Sequence, residues 1–251
     1  MSRDREDAAD RLIVALDNPD LGTAEGLMDR LLGKVRLFKV GSALFTRHGP
    51  AAIEAVHRRG GRVFLDLKFH DIPQVVGLAA RQAAQMGVFM FDVHAAGGPA
   101  FLRAARQAVT GPDPAPLLIA VTVLTSLDAE DLKSIGFIPT AEDLAIRLAK
   151  MTQDAGVDGV VASPHEVRAI REACGEEFVI VTPGVRPAGS EKEKPTDQKR
   201  YAAPADALAA GSDYLVVGRP IASAPDPSAA AEAVLGEMAL AGRRTGQGRK
   251  S

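Results

Sequence analysis

The stretch Val63-Phe64-Leu65-Asp66-Leu67-Lys68-Phe69-His70-Asp71-Ile72-Pro73, with the helical pattern Gln74 to Met86 behind it, decides how this chain is read. An apolar run of strand length, Val63 to Leu67, passes through a charged turn into an amphipathic segment that opens just after a proline. The stretch therefore reads as one strand–helix unit. Side chains alternate along a strand, so Asp66 and Lys68 are expected on the same side of its end. A carboxylate and an ammonium are costly to desolvate, and for this segment alone a structural ion pair is the plain reading.

The same unit recurs in both directions. Strand candidates are Leu12 to Leu16, Leu37 to Val40, Val63 to Leu67, Phe89 to Val93, Leu117 to Val123, Gly159 to Ala162, Phe178 to Thr182 and Tyr214 to Val217. Helical patterns lie between them, among them Ala51 to Arg58, Pro99 to Val109, Glu142 to Asp154, Glu166 to Ala173 and Ser228 to Ala241. Strands alternating with helices imply a parallel sheet, and eight such units in 251 residues favour an α/β fold of the single-domain (β/α)8 TIM barrel type. An open doubly wound sheet is the alternative. No Gly/Pro/Ser-rich linker divides the chain. The expected organisation is a flexible N-terminal segment 1–10, a barrel over 11–241 and a flexible, Arg/Lys/Gly-rich tail 242–251. Pro183 to Arg200 is a long polar segment without helical or strand period, and loops of that length in compact domains are usually functional or disordered.

Composition removes several function classes. The formal net charge is -2, aromatics are 4% and Trp is absent, which argues against nucleic-acid or membrane surfaces and against stacking platforms for single strands. The single cysteine, Cys174, has no partner for an intramolecular disulfide and no Cys/His metal spacing around it. Met1 to Asp10 is charged, and no stretch approaches membrane-spanning length, so a cytoplasmic protein is expected.

Barrel active sites gather at the C-terminal ends of the strands. Those ends carry Asp17, Lys39, Asp66 with Lys68, Asp92 with His94, Thr125 with Ser126, Ser163, Pro183-Gly184 and Gly218-Arg219, while the strand bodies stay apolar. Gly218 and Arg219 follow the eighth strand, where barrels commonly bind phosphate. Glycine admits close backbone N–H approach, and arginine offers a fork matched to phosphate oxygens. Gln198 in the seventh loop is positioned by sequence to close over the same anion. His94 reads as a structural histidine, His70 as support for its loop, and His48, His57 and His165 as surface residues.

Asp66-Leu67-Lys68-Phe69-His70-Asp71-Ile72-Pro73 resembles the motif of the orotidine 5'-phosphate decarboxylase family. Further stretches resemble family motifs in family order: Ala15-Leu16-Asp17, Phe38-Lys39-Val40-Gly41, Val121-Thr122-Val123-Leu124-Thr125-Ser126, Thr182-Pro183-Gly184-Val185-Arg186, Asp197-Gln198-Lys199-Arg200 and Val217-Gly218-Arg219-Pro220. The Asp-x-Lys-x-x-Asp core alone is shared with sugar-phosphate lyases of the same superfamily. The stretch Pro187 to Thr196 is a few residues longer than the family pattern.

The resemblance implies conversion of orotidine 5'-monophosphate to uridine 5'-monophosphate and carbon dioxide, the last step of de novo pyrimidine synthesis. It implies no metal, no cofactor, and a homodimer in which Asp71 reaches into the partner's pocket. Lys68 would protonate C6 within an alternating row of Lys39, Asp66, Lys68 and Asp71. Asp17 and Lys39 would contact the ribose, and Thr125 and Ser126 the pyrimidine edge. Ile72, Pro73 and Pro183 would add further substrate contacts. Arg186, Gln198 and Arg219 would grip the phosphate, with a backbone N–H from Gly218. Two rivals stand beside this reading: a metal-dependent sugar-phosphate lyase or aldolase, and a catalytically silent nucleotide-binding protein.

Overall fold

Strand β1 (Leu12–Leu16) pairs in parallel with β2 (Leu37–Gly41) on one side and β8 (Tyr214–Val217) on the other, so the sheet closes on itself. Between them run β3 (Arg62–Phe69), β4 (Met90–His94), β5 (Leu117–Val121), β6 (Gly159–Val161) and β7 (Val179–Thr182), each beside its sequence neighbours. The computed structural model describes residues 3–110, 114–137, 140–187 and 200–247. The architecture is a single-domain (β/α)8 TIM barrel. The pairing Leu12↔Leu215 excludes the open sheet.

The outer ring contains α2 (Leu21–Leu31), α3 (Ser42–His48), α4 (Pro50–His57), α5 (Pro73–Gln85), α6 (Gly98–Ala108), α7 (Ala129–Ser134), α8 (Ala141–Asp154), α9 (Val167–Cys174), α10 (Pro204–Ala210), α11 (Arg219–Ala222) and α12 (Pro227–Gln247). Their starts are set by local chemistry. Asp20 accepts the Thr23 N–H at 2.8 Å to cap α2, Asp128 and Asp131 form a capping box on α7, and α5 opens on Pro73.

Both ends of the chain differ from the expectation. Residues 3–11 form helix α1 (Arg3–Arg11), with Ala8 and Ala9 buried, and it packs on α12. The boundary expected at 241 is passed by α12, which runs to Gln247. Residues 1–2 and 248–251 lie outside the described residues, as does most of the seventh loop, 188–199. No helix among the described residues is long and apolar enough to cross a membrane.

Strand alternation divides the core into two layers. Leu12, Val14, Val63, Leu65, Phe91 and Leu118 face outward and pack with helix residues such as Val56, Ala80 and Leu102. Ile13, Leu37, Phe64, Met90, Ile119, Val181 and Val216 point inward and fill the barrel with Ala15. On the first four strands, the inward files turn polar at their C-terminal ends.

Candidate active site

Inward parity runs Ile13-Ala15-Asp17 along β1, Leu37-Lys39 along β2, Phe64-Asp66 along β3 and Met90-Asp92 along β4. Each file starts apolar and ends in a charged side chain, so four adjacent strands deliver ionisable groups to one layer. Lys39 Nζ lies 2.9 Å from Asp17 Oδ1 and 3.1 Å from Asp66 Oδ2. The other Asp66 oxygen accepts from Lys68 Nζ. The result is a continuous Asp17–Lys39–Asp66–Lys68 row in which each charge has opposite neighbours.

Burial pulls the Lys39 ammonium down. Asp66 and then Asp17 outweigh that effect and hold its pKa above the ordinary lysine value. Burial likewise pushes Asp66 up, but Lys39 and Lys68 reverse it and bring its pKa to about 2. Asp66 is thus an ionised, nearly buried carboxylate held between two ammonium groups.

Two glycines keep space around this row. A Cβ on Gly41 would stand 3.1 Å from Lys39 Nζ, and one on Gly218 would stand 3.2 Å from Asp17 Oδ2. Any side chain at either position would crowd the charges.

Lys68 is also the one non-glycine residue with positive φ among those described, at 49°. Pairing between β3 and β4 breaks its register between Leu65 and Phe69. The backbone N–H of Lys68 instead donates to Asp92 Oδ1 at 2.8 Å. Asp92 is fully buried, and Oδ2 has no hydrogen-bond partner among the described residues. Burial, then the Asp66 charge, push its carboxyl well above the usual carboxylate range.

These groups line a cavity of about 1170 Å³ at the C-terminal mouth of the barrel. Its wall brings together Asp17, Lys39, Asp66, Lys68, Asp92, Thr125, Pro183, Arg186, Gly218 and Arg219. The roots of the seventh loop are stapled together there. Arg186 N–H donates to Ala202 O at 3.0 Å, Ala202 N–H to Gly184 O at 3.2 Å, and the Arg186 guanidinium sits 4.9 Å from the Tyr201 ring centre.

Other expected site residues lie apart from this wall. Ser126 is exposed in the turn beside Thr125. Ile72 and Pro73 are exposed where α5 begins, outside the cavity lining. Asp71 is exposed as well, and its carboxylate accepts the Ile72 N–H at 2.7 Å instead of extending the charge row. Gln198 lies outside the described residues.

The histidines support structure. His70 and His94 stack with ring centres 5.2 Å apart, and His70 meets Phe101 edge-on. Burial, then His70 and Lys68, lower the His94 pKa. Cys174 closes α9 as a buried thiol whose pKa burial raises, the opposite of an activated nucleophile.

Two features carry no assigned role in the sequence reading. Asp92 figures in it only as a polar strand end, although its inward parity with Met90 is the signal that places it beneath Lys68. Glu166 and Arg200 form a buried ion pair. Glu166 Oε2 also accepts the Ser163 N–H at 3.1 Å, and Arg200 Nη2 donates to Leu124 O at 3.1 Å. The pair ties the fifth and sixth strand ends to the returning root of the seventh loop. Ser163-Pro164-His165-Glu166 has the S-x-x-E spacing of a capping box, which marks Glu166 but gives no sign of Arg200.

Residues 10–234 match the profile of the Orotidine 5'-phosphate decarboxylase / HUMPS family. A Moorella thermoacetica protein named orotidine 5'-phosphate decarboxylase is 56% identical over 242 residues, covering 94% of this chain and 95% of that protein. A protein of the same name from Syntrophotalea carbinolica is 51% identical over 240 residues, covering 94% and 97%. Among solved structures, orotidine 5'-phosphate decarboxylase from Lactobacillus acidophilus is similar with a TM-score of 0.79 and 36% identity, covering 90% of this chain and 98% of that one. A barrel whose charged inner layer is built on these motifs, matched along nearly its whole length by such relatives, belongs to the orotidine 5'-phosphate decarboxylase / HUMPS family.

Proposed function

We propose that this chain converts orotidine 5'-monophosphate to uridine 5'-monophosphate and carbon dioxide, the last step of de novo pyrimidine synthesis, without metal or organic cofactor. The observation that carries this reading is Asp66 held between Lys39 and Lys68. Both oxygens of that carboxylate are engaged by ammonium groups. A divalent cation, which the rival lyase or aldolase chemistry needs, would have to displace them. A silent nucleotide binder has no use for a buried row of ionised groups, whose desolvation is costly.

The chemistry is set by the charges. When the C6–carboxyl bond breaks, the electron pair stays on C6, where conjugation gives little relief. The Lys68 ammonium lies in the cavity wall and supplies both a positive field and a proton to that carbon. The products are carbon dioxide and the C6–H pyrimidine, and neutral Lys68 recovers its proton from solvent. Asp66 keeps Lys68 oriented and crowds the departing carboxylate. Asp17 and Lys39 take the ribose hydroxyls, and Thr125, with Ser126 from the adjoining turn, takes the pyrimidine edge. Pro183 packs on the base. Arg186, Arg219, Gln198 and the Gly218 N–H bind the phosphate, whose remote binding energy is available to the chemical step.

The active form in this reading is a cytoplasmic homodimer. Ile72 and Leu78 are 62% and 58% exposed, and with Val75 they form an apolar face on the first turns of α5, next to Asp71. A partner packed on that face buries it and brings Asp71, Ile72 and Pro73 to the neighbouring cavity, completing the charge row.

The test monitors the ultraviolet band of orotidine 5'-monophosphate after addition of purified protein, with EDTA throughout. Loss of the orotidylate band with formation of uridylate is expected. A folded sample that leaves the band unchanged with EDTA, yet acts on a keto-sugar phosphate with added divalent metal, would transfer the assignment to the lyase.

A further inference from the structure

We infer that Asp92 is a positioning residue for Lys68: its buried carboxyl oxygen takes the Lys68 backbone N–H and so holds the lysine in the left-handed conformation that aims its ammonium at Asp66 and the cavity. This rests on the decarboxylase reading for its consequence, though the hydrogen bond itself stands on geometry alone.

Three independent observations converge on it. The register of β3 against β4 breaks between Leu65 and Phe69, so the sheet does not supply a partner for the amide of Lys68. Lys68 adopts φ 49°, a region that a residue with a side chain occupies at a steric cost and keeps only when its surroundings over-determine it. The group that captures the freed amide, at 2.8 Å, is a carboxyl with no exposed surface, reaching up from the inward file of the next strand. Burying a carboxyl in this way is unfavourable unless its contacts return the cost, and the Lys68 N–H is the backbone donor that Asp92 Oδ1 accepts. The Lys68 N–H works against the upward push that burial and the Asp66 charge give this carboxyl.

Asp92 stands at the cavity wall beside Asp66, but its hydrogen bond goes to the Lys68 backbone, so its loss is expected in kcat more than in substrate binding. The experiment compares Asp92→Asn, which keeps an acceptor oxygen at the same position, with Asp92→Leu, which keeps the branched shape and removes the acceptor. In Asp92→Leu, kcat is expected to fall by about tenfold or more while KM for orotidine 5'-monophosphate and the affinity for uridine 5'-monophosphate stay within about threefold. Asp92→Asn is expected to stay within about threefold of the wild type in kcat.

Three results would overturn the inference: full kcat in folded Asp92→Leu, equal loss in both variants, or a loss confined to KM. Amide exchange of Lys68 in the wild-type protein provides a measurement that needs no variant to fold. Strong protection is expected, and exchange at the rate of an open loop would sink the proposal even if Asp92→Leu were too unstable to assay. Wild-type protein that leaves orotidine 5'-monophosphate untouched while Lys68 N–H is protected would instead locate the failure in the decarboxylase reading, and with it the catalytic consequence assigned to Asp92.

Discussion

Acid should loosen this protein at Asp66, where the charge row sets the size of the effect. The carboxylate has an ordinary value of 3.8 and a folded value of about 2, because Lys39 and Lys68 outweigh its burial. A folded pKa below the unfolded one means that the unfolded chain binds the proton more readily. The stabilisation is therefore complete above the unfolded value and is lost as pH falls from about 4 towards 2. At 1.36 kcal/mol per unit, the whole effect is about 2 kcal/mol, most of it lost between pH 4 and pH 2. Solvent screening removes little of this, since the Asp66 side chain is only 10% exposed. The assay is urea unfolding of wild type and Asp66→Asn at pH 2, 3 and 4, at one protein concentration because association also shifts midpoints. With m near 3 kcal/mol/M, the wild-type midpoint should gain about 0.6 M on the variant over this range. The window stops at pH 4 for a physical reason. Asp92 is shifted upward by burial and by Asp66, so its contribution has the opposite sign and declines as pH rises further. Parallel midpoints for the two proteins from pH 2 to pH 4 would refute the claim that Lys39 and Lys68 hold Asp66 ionised.

Four further outcomes are expected from the same geometry. Lys68→Ala should lower turnover by about a thousandfold or more with the barrel intact by circular dichroism, and near-normal turnover would remove Lys68 from the chemistry. Orotidine without its phosphate should react with a lower kcat as well as a higher KM, and equal kcat for the two substrates would separate phosphate binding from the chemical step. Glu166→Ala leaves Arg200 buried without its carboxylate and should cost about 3 kcal/mol in urea unfolding, whereas a loss below about 1 kcal/mol would reduce the pair to a surface contact. Leu78→Glu charges the exposed face of α5 and should yield a smaller species on sedimentation with little turnover; an unchanged mass would place any dimer interface elsewhere.

Much of this molecule could be read from residues 12–217 because the barrel repeats one pattern. All eight expected strands exist, with no end moved by more than two residues, since inward and outward apolar files are continuous and unambiguous. Short elements escape detection for lack of period. Helix α11 is one turn of four residues, and α3 is divided from α4 only by Gly49 at φ 55°. The N-terminal helix is hidden by its charge, because only Ala8 and Ala9 in its second half are buried among the residues whose exposure is described. Asp17, Lys39 and Asp66 are visible as the polar ends of apolar files. The Glu166–Arg200 pair is not, because 34 residues and a long loop separate partners that meet only when the barrel closes.

Lys68 marks the limit of reasoning from alternation. Strict period-2 geometry does put Asp66 and Lys68 on one face, and the two side chains do meet. A regular strand, however, would carry the Lys68 backbone about 7 Å beyond Asp66 along the strand and commit its amide to the ladder with β4. The chain leaves that ladder, turns through a left-handed residue, and gives the amide to Asp92. Periodicity reports which face a residue occupies; it is silent about where a strand abandons its neighbour. What makes the departure tolerable is a second inward file ending in a carboxyl at the right height. The position of Lys68 is therefore a property of two strands, and a substitution on β4 that leaves the 66–73 motif untouched is expected to move it.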